Sequence, residues 1–133
     1  MYFNHIQMLV LYSSQTLSIT QRPDKGFLCC TWSGSQTEQT IRIGGWHILD
    51  IVKKHGITKI LNDNTLVIGD WHQAADWTFS IWFPELMSLG ITHFARVRAE
   101  RLLPEATARR AIPDTDNIRS FNSQKEAIDW LTP

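Results

Sequence analysis

The sequence predicts an α/β fold, a mixed β-sheet flanked by helices, from three observations. Short β-favouring runs crowd the first third, helical periodicity takes over after Gly34, and glycines lead helices directly into apolar strands. Met8-Leu9-Val10-Leu11-Tyr12, Thr16-Leu17-Ser18-Ile19-Thr20 and Phe27-Leu28-Cys29-Cys30-Thr31-Trp32 are divided by Ser13-Ser14 and by Arg22-Pro23-Asp24-Lys25-Gly26. Connections that short require antiparallel neighbours, and the Pro-Asp-Lys-Gly turn has a mechanism, since proline presets one dihedral and glycine accepts a positive one. Ser35-Gln36-Thr37-Glu38 has the spacing of a capping box and predicts a helix start. Ile41, Gly45, Ile48, Leu49 and Val52 fall on one stripe, Lys53 and Lys54 suit the last turn, and Gly56 is the expected left-handed stop. Ile57-Thr58-Lys59-Ile60-Leu61 follows as a strand.

The αβ pattern then recurs. Asp70-Trp71-His72-Gln73 reads as a second capped start, with Ala74, Ala75, Trp77, Thr78, Ile81, Trp82, Leu86 and Leu89 at helical spacing. Pro84 inside this run removes a hydrogen bond and predicts a kink or break near Trp82-Phe83. Gly90 leads into Ile91-Thr92-His93-Phe94-Ala95-Arg96-Val97, a strand. Leu102 to Ala111 is weakly helical, 113–117 reads as loop, Ile118-Arg119-Ser120-Phe121 as a final strand, and Ser123-Gln124-Lys125-Glu126 as a third cap before a closing helix. No linker interrupts the pattern, so residues 1–133 are expected to form one domain.

Composition narrows the function classes. Apolar residues at 43% and charged residues at 20% describe a globular chain that should fold without a partner. Thirteen basic and thirteen acidic residues cancel, which argues against nucleic acid and anionic membranes and makes a homodimer a fair expectation. Neither a secretory leader nor a membrane span is read in the chain, and the adjacent Cys29 and Cys30 suit reduced thiols in a cytoplasmic compartment, although a strained vicinal disulfide is the alternative.

The stretch Ile60-Leu61-Asn62-Asp63-Asn64-Thr65-Leu66-Val67 is followed by Trp71, Ala74-Ala75, Trp77, Trp82-Phe83-Pro84 and Gly90-Ile91-Thr92-His93-Phe94-Ala95. Together these segments resemble an uncharacterised bacterial family grouped with the STAS and CRAL-TRIO (Sec14-like) superfamily, whose SpoIIAA-like fold belongs to anti-sigma-factor antagonists. The resemblance implies a mixed sheet flanked by helices and little about activity, because fold does not fix function; a regulatory or protein-interaction role with an unknown protein partner is expected instead from a well-specified fold that carries no recognisable chemistry. The resemblance does not extend to the phosphorylatable Asp-Ser-Ser-Gly type motif of those antagonists, because the loop expected after Leu61 reads Asn62-Asp63-Asn64-Thr65 and Thr65 is a poor match for the switch residue.

Candidate site residues follow from where open α/β sheets bind ligands, at the carboxyl ends of parallel strands. Asn62, Asp63, Asn64, Trp71, Arg96 and Arg98 are expected near one rim as a ligand or partner site, with Arg96 and Arg98 on one face and able to receive an anion. The alternative is structural, with Asp63 paired to Arg96 or Arg98 and the asparagines bracing a tight loop. Trp77, Trp82 and Phe83 are expected on a dimer surface, with core packing or an apolar pocket as the competing readings. The histidines at 5, 47, 55, 72 and 93 lack metal-ligand spacing and no nucleophile elbow or phosphate loop occurs, so no metal, cofactor or catalysis is expected. The leading expectation is a non-catalytic regulatory or interaction domain; the alternative is a binder of a small apolar or anionic molecule, lipid included.

Overall fold

Leu17, Ile19, Cys30 and Trp32 alternate with Ser18, Thr20, Cys29 and Thr31, and a period of two lets a strand bury one face. The computed structural model describes residues 8–69, 72–98 and 114–133, and realises this alternation in a six-stranded sheet. Its strands are β1 (Leu9–Ser13), β2 (Leu17–Arg22), β3 (Phe27–Ser35), β4 (Lys59–Ile68), β5 (His93–Val97) and β6 (Ile118–Phe121), in the order β1-β2-β3-β4-β5-β6. The pairs β1–β2 and β2–β3 are antiparallel, and β3–β4, β4–β5 and β5–β6 are parallel. This is the mixed α/β sheet that the short early connections and later crossovers predict. The cap expected at Asp70, Trp71 itself and the weak helical pattern over Leu102 to Ala111 lie outside the described residues.

One expectation is corrected in the middle of the sheet. Asn62-Asp63-Asn64-Thr65 is not a loop: all four residues belong to β4, and Asn62, Asp63 and Asn64 are buried. Asparagine and aspartate are poor strand formers, but strand preference yields to context when the side chains find partners and the backbone is bonded on both sides. Asn62 and Asp63 are flanked by Cys30 and Thr31 of β3 and by Arg96 and Val97 of β5. The β3–β4 register shifts between Thr31 and Ser33, an irregularity that falls beside Trp32 and Asn64.

The first helix, α1, runs Glu38–His55, and its cap is Thr37 rather than Ser35. Thr37 Oγ1 accepts from Thr40 N at 3.1 Å and Thr40 Oγ1 accepts from Thr37 N at 2.9 Å, a reciprocal box displaced by two residues. The displacement arises because β3 continues through Ser35, which pairs with Ile68. Gly56 ends the helix in the left-handed region at φ 63°, with its N–H on Val52 O, as its sequence position requires. The closing helix is capped by the expected Ser123, whose side chain accepts from Glu126 N.

Between β4 and β5 the chain forms a 3-10 turn (His72–Ala74), one α turn, α2 (Ala75–Trp77), a π-helical turn (Thr78–Trp82) and α3 (Phe83–Ser88). The break expected at Pro84 takes a particular form. The helical path does not stop; Phe83 N–H reaches back five residues to Thr78 O, and Pro84, in the first turn of α3, supplies no N–H to the turn before it.

Two cores result. On one face α1, α2, the π turn and α3 cover Leu17, Ile19, Cys30, Trp32, Ile60 and Phe94; on the other, α4 (Gln124–Leu131) packs Ala127 and Leu131 on Phe27, Leu61, Ala95 and Val97. The first layer is close because α1 carries Gly44 and Gly45 where it meets the tryptophans. A Cβ on Gly44 would lie 2.5 Å from Trp32 Cη2 and 2.9 Å from Leu17 Cδ2, closer than van der Waals contact allows. Gly44→Ala should therefore destabilise the protein by about 2 kcal/mol, since overpacking a rigid indole outweighs the gain of about 1 kcal/mol in helix preference. Urea denaturation followed by circular dichroism would show this, and a variant as stable as the parent would contradict the close contact.

Candidate functional site

β3 and β4 run parallel, so Cys30 and Trp32 project together with Ile60, Asn62 and Asn64 under α1 and the π turn. Trp32 Nε1 donates to Asn62 Oδ1 at 2.9 Å, and Asn62 Nδ2 donates to Asn64 Oδ1 at 3.3 Å. Gln36, at the mouth of α1, is spent on the backbone through Nε2 to Ser33 O at 2.9 Å, while its Oε1 accepts from Thr40 Oγ1 at 2.9 Å. Trp82 Nε1 donates to Gly45 O at 2.8 Å, with its ring edge-on to Phe83 and Phe94. Both indole N–H groups are thus committed within the protein, and the tryptophans present hydrocarbon faces to whatever lies between them.

What lies between them is a cavity of about 60 Å³ that opens to solvent. Trp32, Trp77, Trp82, Phe94, Ile41 and Val67 supply its apolar wall, and Gln36, Asn62, Asn64 and Thr78 its polar atoms. None of the described residues that line it is titratable. Thr78 is the anomaly. A helical threonine ordinarily bonds back to a carbonyl one turn earlier, yet Thr78 is 7% exposed and its Oγ1 is buried with no hydrogen-bond partner. An unsatisfied buried hydroxyl costs roughly 1–3 kcal/mol.

The residues expected at one rim separate into two faces. Asn62 and Asn64 line the cavity, and Arg96, the register partner of Asn62, lies on the same face and is 2% exposed. Asp63 lies on the opposite face, so the pairing of Asp63 with Arg96 is corrected by strand parity. Its carboxylate accepts from Thr65 N at 2.9 Å, Thr65 Oγ1 at 2.7 Å and Gln124 Nε2 at 3.1 Å, which joins β4 to the start of α4. Arg98 follows β5, its N–H on Phe121 O at 3.1 Å, and Trp71 lies outside the described residues.

Burial pushes the Arg96 guanidinium down to about 10, helped by the charge of Arg98 and opposed by Asp114; its Nε has no hydrogen-bond partner. Cys29 and Cys30 are free thiols, both pushed up chiefly by burial, Cys30 strongly, so neither has thiolate reactivity near neutral pH. Among the described residues no three His, Cys, Asp or Glu side chains assemble to hold a metal ion.

The dimer surface expected at Trp77, Trp82 and Phe83 is also corrected, for these residues are buried within the chain at 8%, 5% and 5% exposure. Gly45 explains why: its missing Cβ leaves room for Trp77 and Trp82 against α1, where an added Cβ would stand 2.9 Å from each. On the described helical segments, the large apolar side chains that remain about half exposed are Ile43 and Trp46 of α1 and Phe79 and Ile81 of the π turn. Sequence reasoning did not single out Trp32, Gln36 or Thr78 for the cavity. The strand parity of Trp32 with Cys30 was a usable signal, whereas nothing local distinguishes Thr78.

The fold and cavity define a mixed-sheet α/β protein with a neutral, indole-walled pocket between helices and sheet. No protein-family model matches the chain, and no curated protein matches it. A solved structure from Shewanella loihica PV-4 is similar over 98% of this chain and 99% of its own, at 16% identity and a TM-score of 0.48. That protein is described as an uncharacterized member of the DUF3478 family with a SpoIIAA-like fold. Among the described residues no helix is long and apolar enough to cross a membrane.

Proposed function

We propose that this protein is a non-catalytic ligand-binding domain that holds a small, uncharged molecule between Trp32, Trp77 and Trp82. The observation that carries the reading is the open cavity of about 60 Å³ with apolar walls and a few convergent polar atoms, the usual make-up of a small-molecule site. Its described lining has no acid, base or nucleophile with which to transform what it binds. Native mass spectrometry of protein purified from cell extract, with tryptophan emission followed during titration of small neutral compounds, tests the proposal. A co-purifying molecule or a saturable emission change is expected; an empty protein whose emission and melting temperature no compound alters at millimolar concentration would sink it.

A second reading, a protein-interaction module, is supported by the half-exposed Trp46, Phe79 and Ile81. Light scattering at tens of micromolar tests self-association, with a dimer that Trp46→Ser converts to monomer as the supporting result.

A further inference from the structure

We infer that the cavity prefers ligands that present a hydrogen-bond acceptor, because the chain Trp32–Asn62–Asn64 leaves the Asn64 amide NH2 as its free end. This deepens the proposed ligand-binding reading and rests on it. The direction of the chain is set at Trp32. An indole N–H only donates, so Trp32 Nε1 at 2.9 Å fixes which end of the Asn62 amide is the oxygen. Asn62 Nδ2 is thereby turned to Asn64, where it donates to Oδ1 at 3.3 Å, and this fixes the Asn64 amide in turn. Nδ2 of Asn64 is left over. It meets no acceptor among the described residues, and it is not sealed from solvent as Thr78 Oγ1 is. Asn64 itself is 9% exposed and lines the cavity.

The other polar groups of the lining are committed. Gln36 donates to Ser33 O and accepts from Thr40 Oγ1, and Trp82 Nε1 donates to Gly45 O. The Thr78 hydroxyl is inaccessible and takes no part. Each side-chain carbonyl oxygen of Gln36, Asn62 and Asn64 already carries one hydrogen bond, whereas Asn64 Nδ2 carries none. An amide nitrogen donates and does not accept, so a ring nitrogen or a carbonyl or ether oxygen satisfies it and an N–H or O–H does not. The indole and phenyl walls favour a flat ring. About 60 Å³ is well below the roughly 150 Å³ that encloses benzene completely, so part of such a ring sits in the open mouth.

Pyridine, pyrrole and benzene are flat rings of similar size that offer an acceptor, a donor and neither. In titrations followed by protein NMR, at a mildly alkaline pH that keeps pyridine uncharged, pyridine should bind about five- to tenfold more tightly than the other two, the effect of one neutral hydrogen bond. Asn64→Leu should remove that margin while benzene still binds. Trp32→Phe should narrow it as well, since both amides are then free to turn over and present an oxygen, and pyrrole should gain. Loss of all three rings alike in Trp32→Phe, or an unchanged pyridine margin, would overturn the directing role of the chain. Pyrrole or benzene binding the parent protein as tightly as pyridine would overturn the preference without recourse to any variant, and would leave the ligand-binding reading intact. No binding by these rings or any other neutral compound would defeat both.

Discussion

Trp82→Ala is expected to lower the free energy of unfolding by about 4 kcal/mol, within the range for deleting a large aromatic side chain from a packed interior. The size follows from how Trp82 is held. It is 5% exposed, meets Phe83 and Phe94 edge-on at ring separations of 5.0 and 6.0 Å, and donates its indole N–H to Gly45 O. Truncation removes these contacts together and opens a void against α1, which cannot close because Gly45 has no side chain to move into it. Trp82→Phe should cost less than half as much, since a ring still fills part of the space. Equilibrium urea denaturation measures both. A loss under about 1 kcal/mol for the alanine variant, accompanied by a changed oligomeric state, would return Trp82 to the surface role first expected of it.

Arg96→Met is expected to act in the opposite direction and stabilise the fold by up to about 3 kcal/mol. Burial lowers the guanidinium from its ordinary value to about 10, so the folded chain holds this proton less tightly than the unfolded chain does, by about 3 kcal/mol. Below pH 10 both states are protonated and the whole cost of the buried charge is present. It fades only above about pH 10, where the folded chain releases the proton before the unfolded chain does and stability rises with pH. Methionine has comparable length, no charge and enough flexibility to fill the same volume. The gain should therefore be constant from pH 6 to 9 in denaturation experiments. If the variant is instead less stable than the parent by more than 1 kcal/mol, a counter-charge must already compensate the guanidinium.

How much of this was legible in the sequence depends on how local each signal is. The β1 to β3 strands, the Gly56 stop and the Ser123 cap were readable because alternation, turn chemistry and capping act over a few neighbouring residues. β4 was read too short because Asn62-Asp63-Asn64 looks like a loop by composition, and only the pairing of both its edges and the bonds to Trp32, Thr65 and Gln124 make it a strand. The site was half visible. Asn62 and Asn64 were singled out, but Trp32, 30 residues before Asn62, and Thr78 join them only through parallel strand pairing and the π turn. The tryptophans of the second helical run posed a core-or-surface choice that helical spacing could not decide, and the glycine on the opposing helix decided it.

The polar triplet in β4 also has a consequence for assembly. Sliding this strand by one position against its neighbours would thrust the Asp63 carboxylate among indole rings and strip it of Gln124, at a penalty of several kcal/mol. An all-aliphatic segment would tolerate such slippage far better. The central strand therefore carries its own alignment key, and mispaired intermediates are discouraged at the step where the two halves of the sheet join.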